Sequence, residues 1–261
     1  MLDSHGTNGP IHISEGPFER TSLQNQFIEA ATKVGFPESL DLQDLDSSQA
    51  VQRNIRFISK DGIRQDSAHG YLQPRLKDGK HPNLNVLVEH DVLRVIIEDK
   101  RAVGVEVQGN PASHRDARVH KIKAKKIVVT SAGNLGTPLL LERSGVGDRN
   151  VLSRTGINVI VDLPGVGKEL QDHNTLMVSY YTSLNPDETY DGLLNGKTSY
   201  QKLLDEKSPM LAWNSAEITS KVRPTDEEID SLLGPNARKL WERDFRDNPN
   251  KPVAIISTAN G

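Results

Sequence analysis

The sequence predicts a mixed α/β protein with a β-rich centre and helices before and after it. Between residues 84 and 133, β-branched runs alternate with short turns, of which Asp99-Lys100-Arg101 is the clearest, so three strands are expected there. Apolar residues recur at helical spacing over residues 21–34. Beyond residue 184 the chain becomes richer in charged residues and carries two signatures of helix N-termini.

The composition excludes several classes of function. The 261 residues contain 32 Lys+Arg and 35 Asp+Glu, a formal net charge of -3, so no basic field favours a nucleic-acid or membrane partner. Cysteine is absent from the sequence, which excludes disulfides, thiolate nucleophiles and Cys-ligated metals. No apolar run approaches the roughly 18 residues of a membrane-spanning helix, and we expect no secretory signal within the chain. The compartment is not indicated.

The first element expected is an amphipathic helix over residues 21–34. Thr21 or Ser22 would be its N-cap, and Gly35 follows its end. Its apolar face comprises Leu23, Phe27, Ala30, Ala31 and Val34. Residues 41–83 are polar and aperiodic, and we expect them to form a long loop.

A strand, a glycine turn and a helix follow one another in the centre. The run from Lys121 to Gly133 is expected to be a strand, with Thr137 as the cap of the next helix and Pro138 at its first position. Gly145 would stop that helix. Residues 157–164 and 176–184 predict two further strands.

The tail carries two capping-box patterns, in which a Thr is followed three residues later by Gln or Glu. Thr198 with Gln201 predicts a helix over residues 199–206, and Thr225 with Glu228 predicts one over residues 226–233. The Gly-Pro pair at 234–235 would end the second helix.

Common catalytic motifs are absent from the sequence. Ser144 lacks the glycine two residues before it that a hydrolase elbow needs, and the eight histidines show no H-E-x-x-H spacing, so we expect no metal site. The G-V-G pieces at 145–147 and 165–167 lack the third glycine of a dinucleotide loop. Asp172 and His173 could form an acid/base pair, but neighbours on a strand point to opposite faces, which favours structural roles.

Two segments resemble the glucose-methanol-choline (GMC) oxidoreductases, a family of FAD-dependent alcohol oxidases and dehydrogenases. Residues 133–147, GNLGTPLLLERSGVG, are similar to the family's second signature and depart from it at Asn134, where a smaller residue is usual. Residues 163–173, LPGVGKELQDH, are similar to the segment that follows it. The resemblance extends from about residue 6 to 183 and is strongest to the fungal alcohol (methanol) oxidase branch.

The resemblance implies FAD as cofactor and a small-molecule alcohol as substrate, with hydride transfer from the alcohol to flavin N5. By the same resemblance, the backbone of Val92 would meet the adenine, and Ala132 and Gly133 would lie beside the dinucleotide. Tight packing between strand and helix is the alternative role for Ala132 and Gly133. No catalytic residue is assigned within the chain, and neither the electron acceptor nor the oligomeric state is indicated.

Three parts are expected along the chain. Residues 1–83 would be an excursion toward the substrate side, 84–172 part of the FAD-binding domain and 173–261 part of the substrate-binding domain. The family's G-x-G-x-x-G unit and its catalytic histidine are expected outside residues 1–261, so the chain would be the central portion of a longer flavoenzyme and inactive alone. A non-catalytic relic that acts as a binding module, and a product of a truncated or split gene model, are the alternatives.

Overall fold

The computed structural model describes residues 5–18, 21–113, 118–185 and 188–259. They divide into two compact units. The central unit comprises residues 83–179, and the flanking unit combines the described residues before 83 with those after 179. The mixed helix and sheet composition predicted from the sequence is confirmed. The assignment of the three expected parts to cofactor and substrate domains stays a prediction.

An antiparallel sheet with the order β1-β7-β8 forms the centre of the flanking unit. Its strands are β1 (Ala50–Arg53), β7 (Ala216–Val222) and β8 (Ala254–Ala259). Helix α1 (Thr21–Lys33) packs Ile28 against Val51 and Ile218. The prediction of a loop throughout residues 41–83 is wrong at β1, because this short strand is stabilised by pairing with residues more than 160 positions away.

The predicted helix over residues 21–34 is confirmed, with two corrections. It already includes Thr21, so the predicted cap at Thr21 or Ser22 falls inside the helix. Ala30 and Val34 of the predicted apolar face are exposed, whereas Ile28, outside that face, is buried in the core. Gln24 is buried too, because the helix turns this polar residue toward a buried carboxylate. Gly35 follows the helix with a φ of 94°, the left-handed conformation that favours glycine after a helix.

The flanking unit also contains several short helices. The loop prediction is also wrong at a π-helical turn, Ala68–Leu72, and at α2 (Gln73–Lys77). Both form backbone hydrogen bonds of a helix although their sequences lack the apolar periodicity from which a helix is predicted. The other helices are α5 (Asp191–Leu194), α6 (Tyr200–Asp205), a 3₁₀ helix Pro209–Ala212, α7 (Asp226–Glu228), a π-helical turn Ile229–Leu233 and α8 (Gly234–Asp244). None of the helices within the described ranges has the length and apolar character that crossing a membrane requires.

The two predicted capping boxes have different outcomes. Thr225 and Glu228 form the reciprocal bonds of a capping box, as predicted. The Thr198 prediction is wrong by one residue, since Ser199 caps α6 by accepting a hydrogen bond from the Lys202 N–H. The Gly-Pro pair does end the preceding turn, with Gly234 at a φ of 73°, but the chain enters α8 there rather than a loop.

A buried carboxylate joins four segments of the flanking unit. Glu217 on β7 has no exposed surface and accepts hydrogen bonds from Gln24 Nε2 (2.6 Å), Trp213 Nε1 and Arg56 Nη2 (3.4 Å). The Arg56 guanidinium, itself buried, also donates to the carbonyls of Ala216 and Glu15. Charge pairing and hydrogen bonding together offset the cost of removing this carboxylate from water.

The central unit contains the predicted antiparallel strands β2 (His90–Glu98), β3 (Arg101–Gly109) and β4 (Val119–Lys123). Asp99 and Lys100 connect β2 to β3 with positive φ values of 48° and 61°, as in a type I′ hairpin turn. Helix α3 (Gly133–Arg143) packs on β2. Strand β5 (Val146–Gly147), helix α4 (Arg149–Arg154) and strand β6 (Val161–Asp162) follow, and β5 pairs with β6 in parallel.

Three strand predictions are wrong in extent or existence. The strand expected to reach Gly133 ends at Lys123, and Ile127 and Val129 beyond it are 74% and 75% exposed. Only Val161–Asp162 of the strand expected over 157–164 is paired, and residues 176–184 form no strand within the described chain. A β-branched run becomes a strand only where a neighbouring backbone supplies a ladder of hydrogen bonds. Around Val161–Asp162, only Gly145 and Gly147 of the described residues accept such bonds from the segment, and the described backbone forms none with residues 125–131 or 176–184.

We expect Arg56→Leu to destabilise the chain by about 3–5 kcal/mol, because it leaves a buried carboxylate without its countercharge. Arg53→Leu is the matched control, since Arg53 pairs with Glu38 at the surface and exposed pairs contribute at most about 1 kcal/mol. Urea denaturation of both variants and of Arg56→Lys, which keeps the charge but not the planar fork, provides the comparison. Equal losses for Arg56→Leu and Arg53→Leu would show that the buried pair has no special role.

Candidate cofactor site

The turn into helix α3 is built from small residues. Gly133 adopts a φ of 79°, and the Ala132 N–H before it donates to Thr137 Oγ1 at 2.9 Å. The predictions that Thr137 caps this helix and that Pro138 opens it are wrong, because the left-handed glycine starts the helix one turn earlier. Thr137 instead satisfies an N-terminal amide from inside the helix.

The three predicted cofactor residues are accessible in the structure. Ala132 and Gly133 are exposed, and Val92 is 43% exposed on β2, next to a bulge that separates Val92 from Arg94. A Cβ added to Gly133 would have no heavy atom within 4 Å, apart from its chain neighbours and its own helix backbone. This glycine therefore leaves open space at the surface rather than tight packing. Small, open residues of this kind permit close approach of a flat cofactor.

The two G-V-G pieces pack against helix α3. A Cβ on Gly147 would lie 3.1 Å from Glu142 Cγ, and one on Gly167 would lie 3.4 Å from Glu142 Oε1. At Gly145, which has a φ of 81°, a Cβ would come within 2.6 Å of the Asn158 carbonyl oxygen. Gly145 and Gly147 thus serve close packing, whereas a Cβ on Gly165 would have no heavy atom within 4 Å.

A surface groove of about 690 Å³ runs along α3 beside the second G-V-G piece. Its lining includes Leu135, Leu139 and Glu142 from the helix and residues 165–171 from the turn. Asp148 fixes this turn by accepting a hydrogen bond from Lys168 Nζ at 3.0 Å. That bond, together with the Asn150 N–H, holds the pKa of the Asp148 carboxyl below its ordinary value.

Asp172 and His173 do not form an acid/base pair in the described structure. The backbone N–H of His173 donates to Asp172 Oδ1 at 2.8 Å, and both side chains are exposed. No hydrogen bond joins the carboxylate to the imidazole within the described residues. Both residues lie outside the described strands, so the alternation of strand faces does not apply to them, and their structural role stays a prediction.

Ser144 is the residue whose importance the motif analysis missed. Its hydroxyl donates to the Leu140 carbonyl at 2.6 Å and accepts from the Val95 N–H at 2.8 Å. It is 4% exposed at the end of α3 and thereby ties the helix to β2. The hydroxyl-to-carbonyl bond four residues back could have been anticipated, but the bond to Val95 depends on tertiary structure.

Comparison with known proteins identifies the relatives of this chain. A family model described as GMC oxidoreductase matches residues 4–175. The alcohol oxidase of Pichia angusta is 33% identical over 267 aligned residues, which cover 99% of this chain and 39% of that protein. An oxygen-dependent choline dehydrogenase of Pseudomonas putida is 35% identical over 193 residues, 74% of this chain and 32% of its own length. The chain thus spans well under half of these relatives.

Solved structures show the same fold. An FAD-dependent oxidoreductase from Chaetomium thermophilum matches 100% of this chain and 49% of its own, with a TM-score of 0.76 and 25% identity. A formate oxidase matches 98% of this chain and 43% of its own, with a TM-score of 0.72 and 21% identity, a likeness of fold alone.

We expect Gly145→Ala to be clearly more destabilising than Gly156→Ala. Both glycines follow a helix with positive φ, 81° and 72°, so both variants incur a backbone cost of roughly 1–2 kcal/mol. Only the Cβ at 145 would meet a backbone carbonyl, whereas the Cβ at 156 has no heavy atom within 4 Å. Thermal unfolding of the two variants measures the difference, and equal losses would contradict the packing role of Gly145.

Proposed function

Because the chain belongs to the GMC oxidoreductase family, we propose that it is part of an FAD-dependent enzyme that oxidises the CH–OH group of a small alcohol. The observation that carries this proposal is the similarity to alcohol oxidase along 99% of the chain. The choline dehydrogenase relative also supports an alcohol as hydride donor. FAD is the cofactor of the matched structural neighbour and of the family.

When bound, FAD supplies a hydride acceptor that amino-acid side chains lack. The residues of this chain bind and orient it. We assign the backbone of Val92 to the adenine and the surface at Ala132 and Gly133 to the dinucleotide. Their exposure, and the absence of heavy atoms near a Cβ added at Gly133, fit this assignment. The N-terminal N–H groups of α3, which point toward the same turn, favour negative charge there.

The proton chemistry of alcohol oxidation needs a base close to the substrate hydroxyl. The exposed Asp172 and His173 lack the mutual side-chain contact of such a site in the described structure. By the resemblance to the GMC family, we place the base, and the loop that binds the cofactor phosphates, in the part of the relatives that this chain does not span. The share of residues 1–261 in the reaction is to position the cofactor.

The proposal is tested on the polypeptide that contains this sequence, purified from its source. We expect the absorption spectrum of oxidised flavin, and we expect its bleaching when a primary alcohol is added without oxygen, since hydride transfer reduces the flavin. A secondary alcohol and a matched aldehyde serve as controls for donor class. A native product of 261 residues without flavin would instead support the non-catalytic binding module.

We expect Gly133→Ala to lower the flavin content of that purified protein. Its new methyl group would project into the open space assigned to the cofactor. Gly156→Ala is a close control, because Gly156 has a φ of 72° against 79° at Gly133 and equally open surroundings. The ratio of flavin absorbance to protein absorbance separates the two variants. Equal flavin content in both would remove Gly133 from the cofactor site.

A further inference from the structure

We propose that Ser144 is a positioning residue for the cofactor-contacting part of β2. Through its hydroxyl, it fixes the backbone conformation at Val92. The inference rests on the proposed function only for the role of Val92 as a cofactor contact. The geometric part of it, a hydroxyl that sets the shape of a strand, stands on the described residues alone.

Strand β2 needs a restraint of this kind near Val92, because its hydrogen-bonded pairing with β3 is interrupted there. Val92 pairs with Val107 and Arg94 pairs with Glu106, so Leu93 has no opposite residue and β2 bulges there. A bulge locally disrupts the ladder and re-aims the neighbouring backbone. The direction of the Val92 backbone therefore depends on how the residues that follow the bulge are restrained.

Ser144 restrains the part of β2 that follows the bulge. Its oxygen accepts the Val95 N–H at 2.8 Å, three residues from Val92. The same hydroxyl donates a hydrogen bond to the Leu140 carbonyl at 2.6 Å, so it acts both as donor and as acceptor. Ser144 and Val95 are both 4% exposed, which limits the ability of water to replace the serine oxygen.

An ion pair restrains the neighbouring residue of the same strand. Arg94 donates two hydrogen bonds to Glu106, at 2.6 and 2.8 Å, and thereby holds the pKa of the Glu106 carboxyl below its ordinary value. The ion pair is partly exposed, with Arg94 47% accessible, so it is the weaker restraint. Ser144 provides the buried restraint, and it links the bulge directly to α3, the helix that begins at Ala132 and Gly133.

The chemistry of the hydroxyl predicts which substitutions retain the effect. Alanine removes both bonds and leaves the Val95 N–H buried without an acceptor. Threonine keeps the hydroxyl and can form the same bond to the carbonyl four residues back. Ser144→Thr should therefore restore what Ser144→Ala loses.

The test is nuclear magnetic resonance of the backbone amides in the purified polypeptide that contains this sequence. In Ser144→Ala we expect hydrogen exchange at Val95 to accelerate at least about tenfold. We also expect the Val92 amide resonance to shift, and both effects to revert in Ser144→Thr. Ser153→Ala, at an exposed serine on α4, is the control and should leave both amides unchanged.

Two results would overturn the proposal. If Val95 loses protection while the Val92 resonance stays in place, Ser144 only fastens the helix to the strand. If β3 and β4 lose protection equally, or the variant does not fold while Ser144→Thr does not rescue it, the effect is global instability. Neither result involves flavin, so a failure of the proposed function, seen as a flavin-free native protein, is distinguishable from a failure of this inference.

Discussion

The requirement that a buried polar group find a partner organises the flanking unit. Glu217 lies on the central strand of the sheet, without contact to water, and its carboxylate can stay there only with donors around it. Arg56, Gln24 and Trp213 supply them from three other segments. The network thus brings together helix, sheet and connecting residues that are distant in sequence, while the apolar contact of Ile28 with Val51 and Ile218 supplies the burial.

In the central unit, too, buried polar groups of the backbone need hydrogen-bond partners. Ser144 satisfies a buried amide of β2 and a carbonyl of α3, so that one hydroxyl joins the strand with the bulge to the helix that follows the glycine turn. Gly147 allows close approach to Glu142 of this helix, and Gly145 allows close approach to the Asn158 carbonyl. These contacts lie at the end of α3, whose start carries the small, exposed residues that the proposed function assigns to the cofactor.

In the proposed function, cofactor binding and proton chemistry are separated. The residues assigned to the cofactor are a backbone segment and two small residues, none of which has a titratable side chain. Their contribution is orientation, which depends on rigid neighbours more than on reactive groups. This explains why the structurally important residues near the site, Ser144 and the packing glycines, are ones that a search for acids, bases and nucleophiles passes over.

The sequence by itself determined the family, the cofactor, helix α1, the hairpin strands of the centre and the Thr225 capping box, because motifs, periodicity and caps act between residues close in the chain. Tertiary structure alone decided the pairing of β1 with β7, the burial of Gln24 and Glu217 and the end of β4 at Lys123. Each of these depends on a partner distant in sequence. A strand or a buried charge is stable only where such a partner is present, and local residues do not encode that presence.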